Sequence, residues 1–332
     1  MTTHAAISDR LALVGDVGGT HARFALADVS RKTPRISDIQ VLDSHGYARA
    51  GDAVKAYLAK ASGKPSLAVI ATAGPVRAGA VRFTNLNWSL SESQLRALGF
   101  AQARLVNDFT ALALAIPLLK ARDISKIGPA IDGERGKPIA AIGPGTGFGA
   151  AILLPAEKGL PIAVATEGGH ASLAPGDDVE IEILKVLRAE FGHVSMERVL
   201  SGPGLVNLHR ALATVEGRAA EDADAPEITA GALAGREPHL RTVMRFAAML
   251  GAAAGNFALL YGAQGGVYVA GGIAPAILPL LERSEFRARF EDKGRFRDYL
   301  RAIPTAVVLH TDMALLGAAA LARSLVATGR RR

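Results

Sequence analysis

Short apolar runs, glycine-bearing turns and amphipathic stretches alternate along the chain. Leu11-Ala12-Leu13-Val14 is an apolar run of strand type, and Arg23-Phe24-Ala25-Leu26-Ala27 resumes it after Gly15-Asp16-Val17-Gly18-Gly19-Thr20. That pattern predicts a β-hairpin with a glycine-rich bend. Ile36 to Leu42 predicts a third strand, Gly51 to Ala61 a helix with Ala53, Val54, Tyr57 and Leu58 on one face, and Ser66 to Thr72 a buried strand ending in the turn Ala73-Gly74-Pro75. Ser91-Glu92-Ser93-Gln94 is a capping-box pattern opening a helix through Leu98. Arg104-Leu105-Val106 reads as a short buried strand, and Ala111 to Ile116 as an apolar helix stopped by Pro117. Strands and helices alternating after an initial meander imply an α/β sheet with helices on its faces.

Lys120 to Lys137 is polar and glycine-bearing and is expected to cross between two lobes. Pro138 to Ile142 predicts a strand, Gly143-Pro144-Gly145-Thr146-Gly147 a turn, and Phe148 to Leu154 a returning strand. This second strand, turn and strand lies about 130 residues after the first, a signal of internal duplication. A short strand precedes Thr166-Glu167-Gly168-Gly169-His170, Asp177-Asp178 opens a helix through Ala189, and Ser201-Gly202-Pro203-Gly204 starts the next. Ala223 to Pro226 is loop-like. His239 to Leu260 predicts a long apolar helix whose Gly251, Ala254 and Gly255 allow close packing. Val267 to Ala270 predicts a buried strand turning through Gly271-Gly272-Ile273-Ala274-Pro275 into a helix, with Thr305 to Leu309 the last strand and Asp312 to Ala327 the last helix.

Bulk properties narrow the class. A length of 332 residues suggests two domains, and 49% hydrophobic with 21% charged residues suits a compact soluble enzyme. No run reaches the 18 or more consecutive apolar residues of a membrane span, and Met1 to Asp9 lack a signal-peptide layout, so no membrane partner is expected. With no cysteine there is no disulfide and no thiolate metal site, which points to the cytoplasm. The formal charge of +7 is able to attract nucleic acid or anionic metabolites, yet the arginines are scattered and concentrate only at Arg330-Arg331-Arg332. A solvated surface without nucleic-acid binding is the expectation.

Several positions carry candidate chemistry. Asp108 sits at a strand-to-helix junction, where a carboxylate either caps the helix or acts as a general base on a substrate hydroxyl. The bend Gly15 to Thr20 is either a tight turn or a phosphate cradle, its glycines letting backbone N–H groups approach closely and Thr20 adding a hydroxyl donor. Asp16 would repel a phosphate unless a divalent cation lies between them, which suggests Mg²⁺ held directly or through water. Neither glycine-rich loop fits the phosphate loop ending in Gly-Lys-Ser/Thr or the dinucleotide fingerprint. Two such hairpins, one in each lobe, suggest a nucleotide clamped from both sides. Glu167 and His170 form a polar turn or bind sugar hydroxyls. Glu197 on its own reads as a surface residue. Gly271-Gly272 make room for a nucleoside base or form a packing turn.

Taken in order and spacing, Gly15 to Thr20, Asn107-Asp108-Phe109-Thr110, Gly143 to Gly147, Glu167 to His170, Arg198 to Leu205, Ala270 to Ile273 and Phe290 to Phe296 resemble the bacterial glucokinases, from about Leu11 to Ala322. The resemblance implies an α/β, two-lobe actin-like ATPase fold (hexokinase-like, ribonuclease H-like duplicated) with the active site in the interlobe cleft. It implies a small domain over 9–118 plus 310–332, a large domain over 119–309, and a homodimer. By motif match, Asp108 is implied as the base, and Asn107, Asp108, Glu167, His170 and Glu197 as glucose ligands. ATP is implied at Gly15, Asp16, Val17, Gly18, Gly19, Thr20, Gly145, Thr146 and Gly147, with Gly271 and Gly272 near the adenosine and Mg²⁺ at Asp16. The implied reaction is transfer of the ATP γ-phosphoryl group to the 6-hydroxyl of D-glucose. Alternatives are another hexose, polyphosphate as donor, or a non-catalytic sugar-binding regulator.

Two departures stand out. The residue after Gly-Gly-Thr, commonly Asn in these enzymes, is His21 here. The related repressor and sugar-kinase (ROK) family places a His in a cysteine-ligated zinc site, which a chain without cysteine does not support, so the sugar-ligand role of His170 is favoured.

Overall fold

A computed structural model describes residues 7–83 and 86–329. In chain order its strands are β1 (Ile7–Val17), β2 (His21–Asp28), β3 (Arg35–Asp43), β4 (Lys64–Thr72), β5 (Ala80–Arg82), β6 (Ser89–Ser91), β7 (Gln102–Asn107), β8 (Ile124–Ile127), β9 (Ile139–Pro144), β10 (Phe148–Leu154), β11 (Ile162–Thr166), β12 (Gly266–Val269) and β13 (Thr305–Val308). The helices are α1 (Ala50–Lys60), α2 (Glu92–Ala97), α3 (Asp108–Ala115), α4 (Asp178–Phe191), α5 (Gly202–Val215), α6 (Ala225–Leu233), α7 (Glu237–Tyr261), α8 (Ile273–Ala276), α9 (Leu278–Leu281), α10 (Phe286–Glu291), α11 (Arg297–Arg301) and α12 (Met313–Gly329). The fold is mixed α/β and divides into two compact units: one runs up to Leu119, takes in Ala156–Ala163 and resumes from His310, and the other comprises Lys120–Pro155 and Val164–Leu309.

The first sheet has the order β3-β2-β1-β4-β7, with β1 antiparallel to β2, β2 to β3, and β4 and β7 parallel to β1. The second has the order β11-β10-β9-β12-β13-β8. There β9 and β10 pair antiparallel, and β12 and β13 continue parallel to β9. Counted from its own hairpin, each sheet runs third, second, first, fourth, fifth. The duplication sensed in the two glycine-rich turns is therefore a repeat of strand order, with β8 added at one edge.

Both faces of the first sheet are covered, which explains why β1 reads as an unbroken apolar run. Leu13 and Val17 pack with Phe24, Leu26, Val54 and Tyr57, whereas the alternate residues Ala12 and Val14 pack with Ala25, Ala27, Leu315, Ala318, Ala319 and Ala322. Helix α12 lies close against α3: a Cβ on Gly317 would collide with the Ala111 carbonyl oxygen. In the second unit α7 supplies the core through residues such as Val243, Phe246, Leu250 and Phe257. Gly251 and Gly255 admit the backbone of Phe286 and Phe290, as the small-residue pattern predicts. Among the described residues α7 alone is long and apolar enough to cross a membrane, and 67% of its most apolar stretch is buried within the protein.

Two local expectations are corrected and one open alternative is decided. The polar stretch 120–137 contains β8, whose Ile127 is buried and which pairs antiparallel with β13. A four-residue edge strand with only one neighbour is too short to reveal a period. The loop expected over 223–226 ends after Asp224: Asp224 accepts from the Glu227 N–H while Glu227 bonds back to Asp224 N, a capping box that opens α6 with Ala225 and Pro226 in its first turn. The open alternative is the one at Asp108.

Candidate active site

Strands β1, β4 and β7 end level with one another, Val17 opposite Thr72 and Thr72 opposite Asn107. The carboxyl ends of parallel strands are where α/β sheets receive ligands. The turn after β1, Gly18 to Thr20, and the Asn107-Asp108 pair thus share one sheet edge, with only β4 between β1 and β7, about 10 Å at the usual strand spacing.

The helix α3 is capped by Asn107, not Asp108: Asn107 Oδ1 accepts from Phe109 N at 2.9 Å and Thr110 N at 3.3 Å, and Nδ2 donates to Gly74 O at 3.4 Å. The capping reading of Asp108 falls, because the β7 ladder runs through Asn107 and hands the cap to it. Asp108 is the first helical residue, half-buried, with Oδ1 accepting from Phe109 N at 2.8 Å.

The predicted bend shrinks to Gly18, Gly19 and Thr20, because Gly15, Asp16 and Val17 continue β1 opposite Phe24, Arg23 and Ala22, and its glycines divide. Gly15 is buried, and a Cβ there would meet Ile70 Cδ1 at 2.7 Å and Phe24 Cδ1 at 2.9 Å, so its reason is core packing. Gly18 N donates to His21 O at 2.9 Å and closes the turn, while Ser44 Oγ donates to Gly18 O at 3.3 Å. Asp16 lies opposite Arg23 in register. Burial pushes its carboxyl above the ordinary value, against the pull of Arg23, and the Asp312 carboxylate pushes it further up. Arg23 in turn reaches Asp312 Oδ1 at 3.7 Å and the Thr311 carbonyl at 3.5 Å. Neither Arg23 nor Asp312 is a sequence-predicted site residue. They are 289 positions apart, and no local motif joins them. Among the described residues no group of three or more His, Asp or Glu side chains is able to hold a metal ion. A half-buried carboxylate beside a second one nevertheless fits Mg²⁺, which is commonly bound through one or two carboxylates plus water and substrate phosphate.

The second unit assembles the other candidates. Pro144 faces Phe148 across the β9–β10 hairpin, leaving Gly145, Thr146 and Gly147 as its loop, and Gly145 N donates to Gly147 O at 2.8 Å. Glu197, in a short 3₁₀ turn capped by Ser195, sends Oε2 to Phe148 N at 2.8 Å. Gly202 N donates to Gly145 O at 2.8 Å, and Gly271, at φ +84°, lies so close to Pro144 that a Cβ would strike its carbonyl. Of the two glycines after β12, Gly271 is thus a packing residue, while a Cβ on Gly272 would meet only open space.

Glu167 and His170 flank a 3₁₀ turn, both exposed, with His170 Nε2 3.9 Å from Glu167 Oε2. The turn is bound to the same strand end. Gly169 presses on the Phe148 carbonyl, Gly168 on the Phe257 ring, and Thr166 Oγ1 bonds Tyr261 OH at 2.8 Å and accepts from Gly168 N at 3.3 Å. Met196 N donates to Ala171 O at 2.9 Å, which brings the Glu197 turn alongside. Phe148 is therefore the node on which Glu167, His170, Glu197 and the Gly145–Gly147 loop meet.

The glucokinase family profile matches residues 13–325. The chain belongs to the glucokinase family. A glucokinase of Caulobacter sp. (strain K31) is 52% identical over 311 residues, 93% of this chain and 94% of that one. The crystal structure of a glucokinase from an Antarctic psychrotroph is 39% identical, covers 94% of this chain and 98% of its own, and superposes with a TM-score of 0.86. A ROK family glucokinase from Streptomyces griseus, solved with glucose and AMPPNP, shares the fold at 21% identity and a TM-score of 0.64, covering 94% and 99% of the two chains.

Proposed function

We propose that this member of the glucokinase family transfers the γ-phosphoryl group of ATP to the 6-hydroxyl of D-glucose, giving glucose 6-phosphate and ADP. The observation that carries the reading is the shared edge of β1, β4 and β7, which sets a glycine-rich hairpin and its half-buried Asp16 across one intervening strand from Asp108. Family relatives named glucokinase supply the sugar, and the AMPPNP bound to the Streptomyces griseus protein supports a nucleoside triphosphate donor.

In this mechanism Asn107, Glu167, His170 and Glu197 hold the sugar hydroxyls and Asp108 takes the proton of the 6-hydroxyl. The O6–phosphorus bond forms as the bond from phosphorus to the β,γ-bridging oxygen breaks, and ADP leaves with that electron pair. A well-placed base contributes roughly 10²- to 10⁴-fold. Backbone N–H groups of Gly19, Thr20, Thr146 and Gly147 stabilise charge on the transferred group, with the adenosine beside Gly272. Asp16 would hold Mg²⁺, directly or through water, and the ion would neutralise charge on the phosphates. The proposal includes the two-lobe, actin-like arrangement, with domains over 9–118 plus 310–332 and 119–309, as the resemblance implies. It also includes a homodimer, and a cytoplasmic setting that the absence of cysteine suits.

The test is ADP release from purified protein with Mg²⁺-ATP and glucose, mannose, fructose, N-acetylglucosamine or no sugar. Glucose-dependent release is expected. Glucose 6-phosphate formed from polyphosphate but not from ATP replaces the donor, and ADP release with fructose above glucose replaces the sugar. No turnover with any combination defeats the kinase reading.

A further inference from the structure

We infer that Glu197 is a positioning residue that couples sugar binding to the shape of the Gly145–Gly147 loop, so that each substrate tightens the other through one carboxylate. The inference rests on the reading of Glu197 as a sugar ligand and of the loop as a phosphate cradle. Its basis lies within one compact unit and in 49 residues of sequence separation closed by a single bond, Phe148 N to Glu197 Oε2 at 2.8 Å.

The bond is specific to this arrangement. An N–H donating to a carboxylate is about twice as strong as a neutral pair. Phe148 is the first residue after the loop, so its amide fixes the plane of the peptide that ends the Gly145–Gly147 turn. Gly147 is what lets the carboxylate in, since a Cβ there would stand 2.5 Å from Glu197 Oε2. The main chain of Glu197 is held independently: Ser201 Oγ donates to Glu197 O at 2.8 Å, and Ser195 caps its turn. With both backbones anchored, the half-buried side chain is the adjustable link. Oε2 serves the loop, and no hydrogen bond from the described residues engages Oε1, which leaves that oxygen for a sugar hydroxyl. A hydroxyl donating to Oε1 locks the carboxylate plane and with it the Phe148 amide. Linkage makes the effect reciprocal.

A residue that only binds sugar leaves nucleotide affinity untouched when sugar is absent, and this separates the two roles. Titration calorimetry of Mg²⁺-ADP into the full chain without glucose is expected to show binding about tenfold weaker in Glu197→Ala. Glu197→Gln, whose amide oxygen still accepts from Phe148 N, is expected to stay within about threefold of the parent. Glucose is expected to tighten ADP binding about fivefold or more in the parent and not at all in Glu197→Ala. Gly147→Ala, a change in the phosphate loop, is expected to weaken glucose binding about fivefold by displacing the carboxylate. Hydrogen exchange at the Phe148 amide, which requires no ligand, is expected to quicken in Glu197→Ala.

Parent-like sugar-free ADP affinity in Glu197→Ala, or parent-like glucose affinity in Gly147→Ala, overturns the coupling. If the parent phosphorylates glucose while either of these holds, the coupling alone is lost. If the parent binds neither ligand, the kinase reading falls and takes the coupling with it.

Discussion

The two glycine-rich hairpins are built alike and equipped differently. Each opens its sheet, and each closes on its own backbone, Gly18 N to His21 O in the first and Gly145 N to Gly147 O in the second. The first carries its charge internally: Asp16 lies within β1, half-buried, with Arg23 and Asp312 around it. The second has no ionisable residue between Gly143 and Gly147 and receives a carboxylate from Glu197, far along the chain. A duplicated scaffold has thus been specialised by where the acid is attached. On the proposed reading the acid in the first hairpin addresses a cation, and the acid brought to the second sets backbone shape.

The contrast can be broken at several points. The largest effect is expected at Asp108→Asn, which keeps the Asn107 cap and the helix but removes the proton acceptor: turnover should fall about 10²- to 10⁴-fold while glucose affinity, read by calorimetry, stays near the parent's. Turnover within tenfold of the parent would remove Asp108 from the base role.

Asp16→Asn tests the first hairpin and has two opposite signs. The folded-state value of Asp16 is raised above the ordinary 3.8 by burial, so the folded chain favours the protonated acid. That contribution is fully present below pH 3.8 and is lost as pH rises through the folded-state value. At pH 7 without Mg²⁺ the Asn variant should therefore melt higher than the parent, while its turnover drops and loses its Mg²⁺ dependence. A lower melting temperature across pH 4 to 8 would contradict the burial argument.

Gly271→Ala tests the support of the second hairpin. Left-handed backbone at φ +84° combined with collision at Pro144 O should cost about 2 kcal/mol or more in denaturant unfolding and raise the KM for ATP severalfold. Gly272→Ala is the control, with open space around it and a change in stability below about 1 kcal/mol.

The smallest effect concerns a region remote in sequence from both hairpins. His209 is buried, donates through Nδ1 to Thr242 Oγ1, and is held below its ordinary 6.5 first by burial and then by His239 and nearby arginines. The unfolded chain takes up the proton more readily, so stability is retained above pH 6.5 and declines below it. Denaturant midpoints measured from pH 7.5 to 5 should fall, and fall less steeply in His209→Asn.

Where local chemistry fixes an element, the sequence was legible. The Ser91 capping box is formed with both bonds, the hairpin turns fall within the predicted glycine-rich stretches but begin two or three residues later, and α7 follows its apolar period. Legibility failed where a neighbour decides. Asn107 and Asp108 are both good caps, and only the pairing of Thr72 with Asn107 selects between them. Glycines look equivalent in sequence, yet Gly15 and Gly271 are required by Ile70, Phe24 and Pro144, while Gly272 faces open space. Glu197 reads as a surface residue until Phe148 is placed beside it, and Asp312 has no visible partner until α12 returns to β1.

The close approach of Gly317 to Ala111 has a consequence for biosynthesis. Helix α3, which begins with Asp108, is covered by a helix translated some 200 residues later. A ribosome that has completed every strand has still not supplied the surface against which that helix packs. Nascent chains stalled before Met313 should expose the apolar faces of β1 and α3 and bind holdase chaperones, which makes the last helix the step that ends the chain's dependence on them.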